Sequence, residues 1–304
     1  MKLQKAIRPG VRSGGRSASA YTSLGNMVKS ARGRMIRVSR ILLAYALAQM
    51  PQRLRPGAER VVDWCHYRYV RDRGESGLSL IDKPELRREV RKAVAYLVDM
   101  VGREAIGDYL EFGVFYGASM VCVNEVLHEY GLQHVRLFGF DSFQGLPLSA
   151  FQDDAGVWSP GAFKSNYRRA VEFMTQGGID WQRTFLAKGW FSETATPEYR
   201  KRHDIHNASL IMIDCDMYLS TKDALNFCAP LIKDQTIVFF DDWNAHHLAA
   251  HNLGEQRAFA EFLQENPNLG TEEFGAYSFR KRLHGKVFRV FVKDTAHRGL
   301  LPSA

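Results

Sequence analysis

Two short apolar runs constrain this chain more than any other feature, because each closes on a pair of carboxylates. Ile211-Met212-Ile213 leads into Asp214 and Asp216, and Val238-Phe239-Phe240 leads into Asp241 and Asp242. Apolar runs this short, bounded by polar residues, read as strands buried on both faces, as in parallel sheets. Ligands of open α/β sheets gather at strand carboxyl ends. Two carboxylates about 4 Å apart repel by roughly 1–4 kcal/mol at effective dielectrics of about 80 to 20. Four acids delivered to one rim therefore call for a cation, raised pKa values, or both.

The rest of the chain supplies the frame these runs need. Strands are expected at 109–114, 135–141, 184–188, 209–214 and 236–241, with helices at 118–130, 163–175, 220–231 and 255–265 between or after them. The alternation predicts an α/β class, a Rossmann-like doubly wound and mostly parallel sheet. Residues 276–280 and 286–292 alternate apolar and polar, with Leu283-His284-Gly285 read as the turn, which adds a C-terminal antiparallel hairpin and brings the sheet to seven strands. Before the sheet, residues 60–107 read as a helical N-terminal extension. Its clearest part, Pro84 to Val98, repeats apolar residues at three and four spacing, with Asp82 as N-cap and Gly102 as stop. Three regions result: a basic arm over 1–58, the helical extension over 59–107, and a catalytic domain over 108–304.

The net charge of +8 belongs mostly to the arm. Twelve of the 41 Lys and Arg residues precede the first acid, Glu59, so the remainder carries 29 bases against 33 acids, a net of −4. A body of that sign does not favour nucleic acid as partner. Residues 1–33, rich in Gly, Ser, Arg and Lys without apolar periodicity, read as a disordered arm. The uninterrupted apolar segment Ile41 to Ala48 is eight residues, too short to span a bilayer. About 40 residues precede it, more than a secretory leader carries, although an acid-free, Arg- and Ser-rich start also suits a mitochondrial presequence. The reading preferred is a helix packed on the body or on a second copy of the chain, with weak membrane-surface contact as the alternative. Four scattered cysteines, with no CxxC, fit reduced thiols in a cytoplasmic setting. Cys215, between two acids, reads as a core thiol.

Gly113 and Gly117 follow the first strand and open a helix, where small residues let the backbone turn sharply and approach a ligand. The spacing is not GxGxxG. Asp141 ends the second strand, 24 residues after Gly117, where an acid can hold both ribose hydroxyls of a nucleoside ligand or merely cap the loop beginning at Ser142. His247 and His251 are spaced i, i+4, but no HExxH accompanies them.

Five pieces then occur in order: Leu110-Glu111-Phe112-Gly113-Val114, Phe140-Asp141-Ser142-Phe143-Gln144-Gly145-Leu146-Pro147, Lys188-Gly189-Trp190-Phe191, Ile213-Asp214-Cys215-Asp216-Met217-Tyr218, and Asp241-Asp242-Trp243. Together, over about 108–292, they resemble the macrocin O-methyltransferase (TylF/MycF-like) family of class I S-adenosylmethionine-dependent enzymes. Trp243 stands where that family more often has Tyr, and Cys215 where it commonly has Gly. The resemblance implies S-adenosylmethionine and Mg²⁺ as cofactors, Asp214, Asp241 and Asp242 as metal ligands, and Asp216 as general base. Glu111, Gly113, Gly117, Ser119, Asp141, Ser142, Trp190 and Phe191 become the candidate cofactor contacts. The implied acceptor is a hydroxyl of a sugar or glycosylated small molecule, in a pocket shaped by the loop from Leu148 to Phe163. Asp241 and Asp242 would diverge in a regular strand, so both can ligate only if the strand has ended by Asp242. A nicotinamide-dependent oxidoreductase on the same architecture and a non-catalytic membrane or scaffold protein working through its basic arm are the alternatives.

Overall fold

The computed structural model describes residues 80–293 continuously, and most of residues 42–65 before them. The expected disordered arm and residues 66–79 of the expected helical extension lie outside the described residues. The apolar segment expected at 41–48 is described in part: residues 42–43 and 45–47 are helical, with Leu42 and Tyr45 exposed. Among the described residues no helix is long and apolar enough to cross a membrane.

Seven strands, β1 (Asp108–Phe112), β2 (Leu137–Asp141), β3 (Thr184–Lys188), β4 (Ala208–Ile213), β5 (Thr236–Phe240), β6 (Leu269–Phe279) and β7 (Arg282–Val292), form one sheet of order β3-β2-β1-β4-β5-β7-β6. The first five pair in parallel, and β7 runs antiparallel to both β5 and β6. The chain winds outward from β1 to β3 and then returns to place β4 on the other side of β1. A crevice opens where that order reverses, at the carboxyl ends of β1 and β4.

From residue 80 onward the α-helices are α1 (Lys83–Val101), α2 (Ala118–Glu129), α3 (Tyr167–Gln176), α4 (Phe191–Thr194), α5 (Pro197–Arg202), α6 (Tyr218–Cys228) and α7 (Gly254–Glu265) among the described residues. Strand alternation assigns neighbouring residues to opposite layers, which is why whole strands are buried. Tyr109, Met212 and Phe239 pack among residues of α1 and α2 on one face. Leu110, Phe112, Ile213 and Phe240 pack among residues of α6 and α7 on the other. Helix α1 buries Leu86, Val90, Ala93, Val94 and Leu97, a stripe at helical spacing, against the first face. Its polar flank pairs with α2 through Lys83 and Glu125 at 2.6 Å and Arg91 and Glu129 at 2.8 Å. Pro84 occupies the first turn and Gly102 ends the helix as expected, but the Asp82 side chain makes no capping hydrogen bond.

The hairpin corrects the sequence reading. The turn is Arg280-Lys281, with Phe279 paired to Arg282, so Leu283-His284-Gly285 lies within β7. Both turn residues take positive φ, 50° and 64°. Two-residue turns of that kind are normally signalled by Asn-Gly or Asp-Gly, and the Arg-Lys pair gives no such signal. The neighbouring Gly285 attracted the turn instead.

Leu97 is fully buried between α1 and the sheet. Leu97→Ala is expected to lower the unfolding free energy by about 2–5 kcal/mol, read as a lower midpoint in urea with the slope unchanged.

Candidate active site

The strand register lines up three chain ends. Phe112 pairs with Ile213, and Ile213 with Phe240, so Gly113, Asp214 and Asp241 leave the sheet side by side. The ladder continues one step, with Asp214 N donating to Phe112 O and Asp241 N to Ile213 O, each at 2.9 Å. Gly113 is forced by this crowding. Its φ is 95°, and a Cβ there would fall 1.6 Å from the Asp214 carbonyl oxygen.

Strand β4 stops at Ile213 and β5 at Phe240, so none of the four acids lies within a regular strand. Strand alternation therefore does not place Asp214 and Asp216 on one face. Asp216 instead adopts a left-handed conformation, φ 66°, which a non-glycine residue holds only where its surroundings impose it. Cys215 between them is buried, its thiol 3.6 Å from Thr221 Oγ1, as expected of a core thiol. Because β5 has ended, Asp241 and Asp242 turn to the same side. His284 Nε2 is 3.5 Å from Asp241 Oδ2 and 3.6 Å from Asp242 Oδ1. Tyr277 donates its hydroxyl to Asp241 Oδ1 at 2.8 Å and fixes that carboxylate.

The electrostatics follow from burial without a strong counter-charge. Burial, then the charges of Asp241 and Asp242, hold Asp214 well above the ordinary carboxylate range. Burial and the same two neighbours do so for Asp216, and burial with Asp241 raises Asp242 to about 7. A fifth acid, Glu255 at the start of α7, is 2% exposed, and neither carboxylate oxygen has a hydrogen-bond partner. Its pKa is pushed up by burial first and then by Asp242, Asp241 and Asp216. This donor set is all oxygen apart from one imidazole, and it suits a divalent cation. His284 was missed at the sequence level because it was read as part of a turn.

These groups border a cavity of about 1130 Å³, room for a cofactor and an acceptor together. Gly113, Ser119, Asp141, Ser142, Trp190 and Phe191 line it, together with Asp214, Asp216, Asp241 and Asp242. Two expected cofactor contacts do not. Glu111 is fully buried beneath the loop, where Ser119 Oγ donates to it at 2.6 Å and the Tyr109 hydroxyl donates to its other oxygen. Gly117 starts α2 with φ 82°, packed so closely on Met174 that a Cβ would meet the sulfur at 2.4 Å. Asp141 accepts backbone N–H groups from Val114 (2.9 Å), Phe115 (2.7 Å) and Phe143 (2.6 Å). Its carboxylate thus clips the loop after β1 to the loop after β2 and keeps spare lone pairs at the cavity.

The segment between β2 and α3 forms the opposite wall. Short helical turns at Leu148–Phe151 and Asp154–Gly156 replace the loop expected there, and α3 starts at Tyr167 rather than near Phe163. Asp154 is the hub: Oδ2 accepts from Tyr218 N at 2.9 Å and Trp158 Nε1 at 3.1 Å, and Oδ1 accepts from Gly254 N at 2.7 Å. One buried carboxylate thereby ties the wall to the first turns of α6 and α7. His246 and His247 line the cavity from the segment after Trp243, and His246 stands edge-on to Trp158 at 4.9 Å.

The family model for macrocin-O-methyltransferase (TylF) matches residues 32–267. The 8-demethyl-8-(2,3-dimethoxy-alpha-L-rhamnosyl)-tetracenomycin-C 4'-O-methyltransferase of Streptomyces olivaceus is 30% identical over 185 residues, covering 58% of this chain and 69% of that protein. Mycinamicin III 3''-O-methyltransferase of Micromonospora griseorubida is 27% identical over 177 residues, covering 54% of this chain and 66% of the relative. The chain thus spans about two thirds of the length of these relatives. The solved structure of the O-methyltransferase NovP superposes with a TM-score of 0.52 at 17% identity, covering 68% of this chain and 80% of that one, which shows a shared fold.

Burial raises the Glu111 pKa to about 8 from 4.5, against the opposing hydrogen bonds from Ser119 and Tyr109. A raised folded-state pKa contributes stability that is complete below the unfolded value and is lost as pH climbs through the folded one. The unfolding free energy of the metal-free protein is therefore expected to fall between about pH 5 and pH 8. Glu111→Gln should flatten that slope, as read from urea titrations across the range.

Proposed function

The chain belongs to the macrocin-O-methyltransferase (TylF) family and is an S-adenosylmethionine-dependent O-methyltransferase, and we propose that it methylates a hydroxyl of a sugar or glycosylated small molecule with the help of a divalent cation, Mg²⁺ by default. The observation that carries this reading is the convergence of Asp214, Asp216, Asp241 and Asp242 on one cavity beside the loop that follows β1. Relatives named for methylating sugar-bearing molecules support the acceptor class.

In this reading Asp214, Asp241 and Asp242 hold the cation, with Tyr277 fixing the orientation of Asp241. Gly113, Ser119, Asp141, Ser142, Trp190 and Phe191 border the cofactor. Asp141, already oriented by three backbone N–H groups, offers its remaining lone pairs to ribose hydroxyls, and Trp190 and Phe191 offer aromatic faces. Glu111 and Gly117 act at one remove, by seating Ser119 and the first turn of α2. When bound, S-adenosylmethionine supplies an electrophilic methyl group and the cation lowers the pKa of the acceptor hydroxyl.

Asp216 is the general base. An alcohol is a poor nucleophile until its proton has a destination, and Asp216 faces the cavity in a left-handed backbone conformation that brings it beside Asp242. Its carboxylate would take the hydroxyl proton as the methyl group passes from the sulfonium to the oxygen, the sulfur–methyl bond breaking to leave S-adenosylhomocysteine. Burial and the charges of Asp242 and Asp241 push the Asp216 carboxyl upward, and a cation held by Asp214, Asp241 and Asp242 would offset those two charges and favour its ionised form. The wall held by Asp154, with Trp158, Phe163 and Leu146 on the cavity, excludes water and admits the acceptor.

Purified protein mixed with methyl-labelled S-adenosylmethionine, Mg²⁺ and a panel of glycosides should transfer label, and chelation should stop it. Asp216→Asn is expected to lower kcat by about 10²–10⁴-fold without weakening S-adenosylhomocysteine binding measured by calorimetry. Label transfer that survives both Asp216→Asn and chelation would refute this mechanism.

A further inference from the structure

The ladder between β5 and β7 pairs Phe240 with Lys286, and His284, two residues before Lys286 on β7, lies beside the chain that leaves β5. The backbone of His284 is held there, its carbonyl accepting from Asn244 N at 3.1 Å and from Asn244 Nδ2 at 3.2 Å. Its imidazole nitrogen stands 3.5 Å from Asp241 Oδ2 and 3.6 Å from Asp242 Oδ1, and one ligand atom from each of the three residues can be chosen so that all lie within 4.8 Å of one another. Those gaps are long for hydrogen bonds and fall within ion-pair range. They also lie between the separations of ligand atoms bound to one ion at about 2.1 Å, about 3.0 Å when adjacent and about 4.2 Å when opposite, so small adjustments would let the three share it. Glu255, 2% exposed, adds a further buried carboxylate next to Asp242, which a cation here would help to offset.

We propose that His284 is a nitrogen ligand of the cation held by Asp214, Asp241 and Asp242, adding one imidazole to three carboxylates in a site that holds Mn²⁺ or Co²⁺ more tightly than Mg²⁺. The inference rests on the cation site described under the proposed function and goes beyond it in ligand identity and metal preference. Magnesium takes oxygen ligands and gains little from imidazole, whereas imidazole binds later first-row ions progressively better. Acceptor oxygens remain available for the positions that these four residues leave.

The test uses the full chain loaded with Mn²⁺ and no substrate, and its readout is the electron spin echo modulation from ¹⁴N coupled to the manganese. Wild type should show imidazole nitrogen modulation, and His284→Gln should lose it while still binding the ion. By calorimetry His284→Gln should weaken Mn²⁺ binding at least about tenfold and Mg²⁺ binding much less. Circular dichroism of the variant checks the fold, and the wild-type spectrum needs no variant at all. Manganese bound without nitrogen modulation overturns the proposal and leaves the cation site standing. Modulation that persists in a folded His284→Gln protein also overturns it, by assigning the nitrogen to His246 or His247. Failure of wild type to bind Mn²⁺ or Mg²⁺ overturns both the proposal and the cation site.

Discussion

Mutual repulsion among buried carboxylates is the constraint around which this site is arranged. Asp214, Asp216, Asp241 and Asp242 are crowded at the ends of two adjacent strands, with Glu255 behind them. Burial raises the cost of each charge, and each neighbour raises it again. That cost pushes Asp214, Asp216 and Asp242 above the ordinary carboxylate range, and the imidazole of His284 stands within ion-pair distance of Asp241 and Asp242.

The surrounding structure keeps these groups from moving apart. Parallel pairing of β1, β4 and β5 fixes the spacing of the three chain ends, and Gly113 lets β1 turn against Asp214 without a side chain in the way. Tyr277 and Asn244 then fix Asp241 and the backbone of His284 from the edge. Carboxylates also do the tying at a distance: Asp141 joins the two loops nearest the cofactor end, and Asp154 joins the opposite wall to α6 and α7. Asp141 and Asp154, held by backbone N–H groups, thus build the cavity that the four acids at the strand ends line.

Much of this was legible in the residues. The five parallel strands fall within about two residues of their expected ends, because apolar runs buried on both faces leave an unbroken pattern, and the family resemblance rested on motifs at those ends. Glu111 does not line the cavity, because Tyr109 and Ser119 hold its carboxylate inside the core, and a motif does not record burial. Asp154 gave no signal in the sequence, since two of its three partners, Tyr218 and Gly254, are 64 and 100 residues away.

The sequence alone determined the sheet, its parallel order and the delivery of four acids to one rim, because hydrophobic periodicity and strand-end position are local properties. Only the tertiary structure decided which acids converge. β5 ends at Phe240 and so frees Asp241 and Asp242 to turn together, and Asp216 takes a left-handed conformation outside any strand. It also decided that His284 joins them. A turn at Arg280-Lys281 sets the register of β7, and one register shift would have pointed that imidazole to the other face of the sheet.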